Sequence, residues 1–150
     1  MNHAQVKPFV ILLVEDEPAD AHLVKMALQE NRVLTEVHHV SDGVEALEFL
    51  RRQGETFSRV PRPDLILLDL NMPRMDGREL LAALKKDEDF CGIPVVMLTT
   101  SDVERDVIAS YKLGAAGYIT KPVDFEQFAI AIRQLEGYWF TLVKLPENNT

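Results

Sequence analysis

The chain has 150 residues, of which 47% are hydrophobic, so it is long enough for one soluble domain with a buried core. Its formal charge of -8 argues against nucleic acid as a direct partner, and the absence of a long apolar run or a signal-peptide pattern argues against a membrane. A single cysteine agrees with a reducing compartment, and a cytoplasmic location is expected.

Short apolar runs alternate with helical patterns along the chain. The first run, FVILLV, is continuous and apolar, as in a strand buried on both faces. A polar stretch with two prolines, GETFSRVPRPD, predicts a loop at residues 54–64. The predicted strands cover residues 9–14, 36–40, 65–69, 93–100 and 116–120, and the predicted helices cover residues 19–31, 42–53, 78–87, 103–114 and 124–137.

Strands that alternate with helices predict βαβ units and a parallel sheet. Right-handed crossovers place helices on both faces, so we expect a doubly wound α/β domain over residues 1–137. Ligands of such folds bind at the carboxyl ends of the strands. Residues 138–150 fall outside the alternation.

Polar and charged side chains follow four of the five predicted strands at their carboxyl ends. In a parallel sheet these ends share one edge, so three carboxylates, a hydroxyl and an ammonium are expected to converge there. Clustered carboxylates are tolerable around a hard cation such as Mg²⁺. Each residue alone is more commonly a cap, a turn or a solvated charge, but their joint occurrence favours a functional site. The residues are Glu15 and Asp16, Asp69 with Asn71, Thr99 with Thr100, and Lys121 with Pro122.

The motifs LLVEDE, LILLDLNMPRMDG, VVMLTTSD and GYITKP carry a resemblance to a known family. Over residues 9–135 the chain resembles the receiver domain of two-component response regulators. The resemblance implies a flavodoxin-like sheet of strand order 2-1-3-4-5, with Asp69 as the phosphoacceptor. It also implies that Asp16 binds Mg²⁺ directly, that Glu15 acts through water or by charge, and that Asn71 offers its backbone carbonyl.

The same resemblance assigns a switch. Thr99 and Lys121 would contact the phosphoryl group, and Tyr118 would rotate as Thr99 moves inward. The alternative to this switch role is that Tyr118 is a half-buried packing residue of the strand. The readout surface would comprise the helices predicted over residues 103–114 and 124–137 and the strand between them.

The stretch after the last predicted helix, GYWFTLVKLP, is unusually apolar for a chain terminus. We expect it to form a homodimer interface together with the face of the helices predicted over residues 103–114 and 124–137, with a disordered end beyond it. The tail and the opening resemble stand-alone receivers that accompany bacterial and cyanobacterial phytochrome histidine kinases. A sensor histidine kinase and an unidentified downstream protein are the expected partners. The interface residues are Tyr138, Trp139, Phe140, Leu142 and Val143.

Other classes of function fit less well. A receiver-like interaction module that ignores phosphate remains the alternative, although all the phosphorylation residues are present. An aspartate-nucleophile phosphatase needs a general acid two residues after the nucleophile, where this chain has Asn71. No glycine-rich loop follows the first strand, which argues against a dinucleotide-binding domain. We therefore expect a signalling protein rather than a metabolic enzyme, with His38 and His39 as structural or surface residues away from the site.

Overall fold

The computed structural model describes residues 8–29, 35–70, 72–99 and 112–120, together with Glu126, Ile130, Arg133 and Gln134. Five parallel strands form one sheet of order β2-β1-β3-β4-β5, which confirms the predicted architecture and strand order. The elements in chain order are β1 (Phe9–Val14), α1 (Pro18–Gln29), β2 (Thr35–Val40), α2 (Gly43–Leu50), α3 (Gly54–Phe57), β3 (Leu65–Asp69), α4 (Gly77–Lys85), β4 (Val95–Thr99) and β5 (Gly117–Thr120).

The order of the strands places the ends of β1 and β3 side by side. Because β1 lies between β2 and β3, the chain first adds a strand on one side of β1 and then returns to add the next on the other side. Val14 at the end of β1 pairs with Leu68 near the end of β3. The residues that follow these two positions therefore leave the sheet side by side, at the point where doubly wound folds bind ligands.

Apolar side chains cover both faces of the sheet, as expected for a parallel sheet. On one face, α2 and α4 pack against alternate strand residues such as Leu12, Ile66 and Met97. On the other face, α1 packs against the intervening positions, which include Ile11 and Leu67. Every residue of β1 and β3 is buried, which accounts for the continuous apolar runs in the sequence.

The predicted loop at residues 54–64 contains a helical turn, α3, that the sequence pattern did not indicate. The ring of Phe57 packs edge-to-face on Phe49 of α2, with 5.4 Å between the ring centroids. Arg52 donates from Nε to the Val60 carbonyl at 2.9 Å, and Arg62 donates to the Asp89 carbonyl at 2.7 Å. Anchoring by one aromatic ring and two arginines explains why a polar, proline-containing stretch is locally ordered.

The C-terminal predictions are only partly covered by the described residues. Glu126, Ile130, Arg133 and Gln134 are helical and fall within the helix predicted over residues 124–137. Of the helix predicted over residues 103–114, the structure describes only the last three residues, and of these Lys112 is helical. Within the described part of the chain, no helix is both long and apolar enough to cross a membrane.

Candidate functional site

Three carboxylates meet where β1 and β3 end. Glu15, Asp16 and Asp69 each offer one oxygen, and these oxygens lie within 4.8 Å of one another. Glu15 and Asp69 are buried, whereas Asp16 is exposed. Like charges this close oppose ionisation unless a cation lies among them, and carboxylate oxygens are the ligands that hard divalent cations prefer. The residues present therefore fit a divalent cation.

Backbone hydrogen bonds hold the first two carboxylates at the end of β1. The Glu15 N–H donates to the Val40 carbonyl at 3.1 Å, which extends the pairing of β1 with β2 by one residue. The Glu15 side chain accepts from the Glu17 N–H at 3.2 Å. Strand register brings Glu15 next to Asp69, so the three carboxylates of the predicted cluster lie together. The hydroxyl and the ammonium of the same prediction lie outside the described part of the structure.

His39 contacts this part of the site, contrary to the expectation from the sequence. Its Nε2 lies 2.8 Å from the Glu15 carbonyl oxygen. Because a carbonyl can only accept, Nε2 carries the proton in this contact. The His38 ring packs against Phe49 in a tilted arrangement on the opposite face of the strand, with 5.3 Å between the ring centroids. The signal was available in principle, since adjacent residues of a strand point to opposite faces and β2 is paired with β1.

Glycine allows α4 to begin against the backbone of Asp69. A Cβ atom built on Gly77 would lie 2.3 Å from the Asp69 carbonyl oxygen, so any larger residue requires the backbone to shift. The Gly77 N–H donates to the Leu70 carbonyl at 3.0 Å. Asp76 and Glu79 form a reciprocal capping box at the start of α4. The chain therefore leaves Asp69 and enters α4 through a closely packed turn.

The opposite side of this turn rests on the N-terminus of α2. Asp42, the N-cap of α2, accepts from the Glu45 N–H at 2.9 Å and from the Arg74 guanidinium at 2.7 and 3.0 Å. The Gly43 N–H donates to the Met75 carbonyl at 3.2 Å. Burial raises the pKa of the Asp42 carboxyl, but the hydrogen bonds and charge of Arg74 and the backbone N–H groups outweigh it and hold that pKa below its ordinary value. Sequence reasoning identified neither member of this pair.

The remaining predicted site residues are only partly placed. Thr99 ends β4 and Tyr118 lies on β5 beside Met97, at the edge and in the strand expected for them. Their side chains lie outside the described part of the structure. Asn71, Lys121 and the apolar tail at residues 138–143 also lie outside the described residues.

Comparison with known proteins agrees with this geometry. The response regulator receiver domain family matches residues 11–133. Response regulator Rcp1 of Synechocystis sp. is 47% identical over 139 residues, which cover 93% of this chain and 94% of Rcp1.

Solved structures show the same similarity. The phosphorylated cyanobacterial phytochrome response regulator RcpA superimposes with a TM-score of 0.83 at 44% identity, covering 91% of this chain and 96% of RcpA. The Mn²⁺-bound form of Rcp1 gives a TM-score of 0.79 at 47% identity, covering 88% of this chain and 94% of Rcp1. The chain therefore belongs to the response regulator receiver domain family.

Proposed function

We propose that this protein is a phosphorylation-controlled switch in which Asp69 accepts a phosphoryl group from a sensor histidine kinase. The observation that carries the proposal is the carboxylate cluster at the ends of β1 and β3, which contains Asp69 itself. Membership of the receiver family supports the reaction class, and the burial of Asp69 supports a role other than surface solubility.

The proposed chemistry is the attack of an Asp69 carboxylate oxygen on the phosphorus of a phosphohistidine. The phosphorus–nitrogen bond breaks, the imidazole leaves, and an acyl phosphate forms on Asp69. Asp16, Asp69 and the Asn71 carbonyl would hold Mg²⁺, and Glu15 would act through water or by charge. The ion would neutralise charge on the transferring oxygens. Lys121 would add a second positive charge, and Thr99 would donate a hydrogen bond to a phosphoryl oxygen. Hydrolysis of the acyl phosphate resets the protein.

The proposed output is a change of surface. Phosphorylation adds roughly two negative charges at Asp69. Movement of Thr99 and rotation of Tyr118 would couple this charge to the surface formed by β5 and the helices predicted over residues 103–114 and 124–137. The proposed receiver unit is residues 1–137. The tail, through Tyr138, Trp139, Phe140, Leu142 and Val143, would complete a homodimer interface.

The relatives suggest the class of kinase. RcpA is described as a phytochrome response regulator, and this chain is 44% identical to it over most of both lengths. We infer that the phosphodonor is a phytochrome-type histidine kinase, so that light would control the phosphorylation of Asp69. Phosphotransfer from a phytochrome kinase under red and far-red light would test this inference separately from the identity of the acceptor.

Native mass spectrometry tests the acceptor directly. The purified chain with Mg²⁺ is measured before and after addition of a small acyl phosphate, and then with a phosphorylated histidine kinase. We expect a gain of one phosphoryl group, its loss in Asp69→Asn, and its retention in Asp89→Asn, which alters an exposed carboxylate before β4. No gain from either donor would favour the phosphate-independent interaction module, and a gain that persists in Asp69→Asn would move the acceptor to another residue.

The same spectra report the dimer. We expect the dimer fraction to fall in a chain that ends at Gly137, because the apolar tail is removed. An unchanged dimer fraction in the shortened chain would remove the tail from the proposed interface and leave the acceptor assignment intact.

A further inference from the structure

The Asp42–Arg74 ion pair joins the N-terminus of α2 to the turn between β3 and α4. Arg74 lies in the turn between β3 and α4, five residues after Asp69, whereas Asp42 caps α2. The two side chains meet in a bidentate arrangement, with Nε 2.7 Å from Oδ2 and Nη2 3.0 Å from Oδ1. Bidentate arginine–carboxylate pairs fix orientation as well as distance.

The backbone of Arg74 has an unfavourable conformation, and its partner is a buried carboxylate. Its φ of 64° is in the left-handed region, which is unfavourable for a residue with a side chain and favours glycine. Because Arg52 shares this conformation, it is the partner of Arg74, a buried carboxylate, that distinguishes the contact. Asp42 is 6% exposed and its charge is matched by Arg74, so loss of the guanidinium would leave a buried carboxylate with a weaker set of partners.

The pair acts on a turn that is held from both sides. Gly43 donates to the Met75 carbonyl, and a Cβ atom on Gly43 would lie 2.7 Å from that same oxygen. Leu70 donates to the Leu98 carbonyl at 3.3 Å and accepts from Gly77 at 3.0 Å. Asn71, whose backbone carbonyl is part of the proposed metal-ligand set, lies in the sequence between Leu70 and Arg74.

We propose that Asp42 and Arg74 are a positioning pair for the divalent-cation site, acting through the turn between β3 and α4 rather than by contact with the cation. This inference rests on the proposed function, because it assumes that the carboxylates of Glu15, Asp16 and Asp69 bind a divalent cation. Outer-shell partners that orient a metal ligand change metal affinity by about 10- to 100-fold when removed. The Arg74 side chain is 58% exposed, so an effect near the lower end is expected.

Mn²⁺ binding, followed by electron paramagnetic resonance on the full chain, tests the pair. Arg74→Gly removes the guanidinium and at the same time relieves the left-handed backbone, so a loss of affinity cannot be attributed to new strain. Asp42→Asn keeps a side chain able to cap α2 but removes the charge. We expect each variant to weaken Mn²⁺ binding about tenfold, and the double variant to bind no more weakly than either single variant.

Arg52→Gly is the matched control. Arg52 also has a left-handed backbone, with a φ of 54°, and also donates from Nε, but its acceptor is a backbone carbonyl beyond the C-terminus of α2. Its Mn²⁺ affinity should stay within about twofold of the unchanged chain. Hydrogen exchange in metal-free protein gives a second readout, since the Gly43 amide should exchange faster in Arg74→Gly and not in Arg52→Gly.

The outcomes separate the two proposals. If the unchanged chain binds no Mn²⁺, the proposed function fails and the positioning role fails with it. If the unchanged chain binds Mn²⁺ and Arg74→Gly binds equally well, only the positioning role is overturned. An equal loss in Arg74→Gly and Arg52→Gly would also overturn it, because the effect would then reflect general destabilisation.

Discussion

Two arginines with the same unusual backbone lie at opposite ends of the strands. Arg74 lies at the carboxyl ends, called the carboxyl edge, and Arg52 lies at the amino ends, called the amino edge. Arg74 and Arg52 both have left-handed backbones and both donate from Nε. At the carboxyl edge the acceptor is the buried carboxylate of Asp42, whereas at the amino edge it is the carbonyl of Val60. The unusual backbone is therefore not by itself a sign of function. The difference lies in the acceptor, because Asp42 is a buried carboxylate that caps α2, whereas Val60 offers only a backbone carbonyl.

Charge is also distributed differently at the two edges. At the amino edge, a cleft of about 500 Å³ is lined by residues that include three arginines and two aspartates, so the charges largely offset one another within the protein. At the carboxyl edge, three carboxylates lie together with their oxygens within 4.8 Å. One edge is electrostatically self-contained, whereas the other is suited to a cation from solution.

Glycine substitution is expected to distinguish the edges most strongly. Gly77→Ala places a methyl group where the Asp69 carbonyl oxygen lies 2.3 Å away, so the start of α4 must move from β3. Gly92→Ala precedes β4 at the amino edge, where an added Cβ atom meets nothing within 4 Å. We expect Gly77→Ala to lower the free energy of unfolding by about 3 kcal/mol. Gly92→Ala should change it by less than about 1 kcal/mol.

Urea unfolding of the two alanine variants, monitored by circular dichroism, measures this difference. Equal free energies of unfolding would show that the turn after β3 can relax around a methyl group. The close approach of α4 to Asp69 would then no longer distinguish the carboxyl edge from the amino edge.

Substitution of the two histidines of β2 is expected to have a smaller effect on the free energy of unfolding. His39→Phe removes the donor to the Glu15 carbonyl and should lower the free energy of unfolding by about 1 kcal/mol. His38→Phe retains an aromatic ring against Phe49 and loses the contact of Nε2 with the exposed Glu36 carboxylate, so it should change the free energy of unfolding by less than about 0.5 kcal/mol. Thermal unfolding with and without Mg²⁺ measures both variants, and His39→Gln, which restores a donor, should recover part of the loss. Equal losses in the two phenylalanine variants would place the role of His39 in packing rather than in its contact with Glu15.

The smallest expected effect concerns pH. Despite burial, the pKa of Asp42 is lowered in the folded protein by Arg74 and by backbone N–H groups, so its ionised form stabilises the fold at neutral pH. That contribution is fully present above the unfolded pKa and is lost as the pH falls through the lower, folded pKa. Carboxyl NMR titration should show the pKa of Asp42 rising in Arg74→Gly and unchanged in Arg52→Gly. A pKa that does not move in Arg74→Gly would mean that backbone hydrogen bonds alone hold it down.

The sequence predicted the sheet because the cause is local. Continuous apolar runs mark buried parallel strands, and β1 and β3 have the predicted bounds. Glu15, Asp16 and Asp69 were also predictable, since a carboxylate directly after a buried strand must lie at the sheet edge. Their unequal burial was not predictable, because a strand pattern does not say how far the following helices cover its end.

Contacts between distant residues account for what was missed. Asp42 and Arg74 are 32 residues apart, and His39 reaches a carbonyl 24 residues earlier in the chain. Neither contact repeats with the period of a helix or a strand. Strand alternation predicts the face of β2 on which His39 lies, but no pattern predicts which group it contacts. The helical turn α3 was hidden for a related reason, since Phe57 is its main apolar anchor and packs on Phe49 of another helix.

The lone cysteine has a practical consequence. Cys91 is exposed and precedes β4, so it lies at the amino edge, away from the three carboxylates. Because the chain contains one cysteine, a maleimide fluorophore would attach at a single position without any engineered substitution. Such a label would follow association between copies of the protein, and its reaction with a kinase, in a molecule whose carboxylate site is chemically untouched.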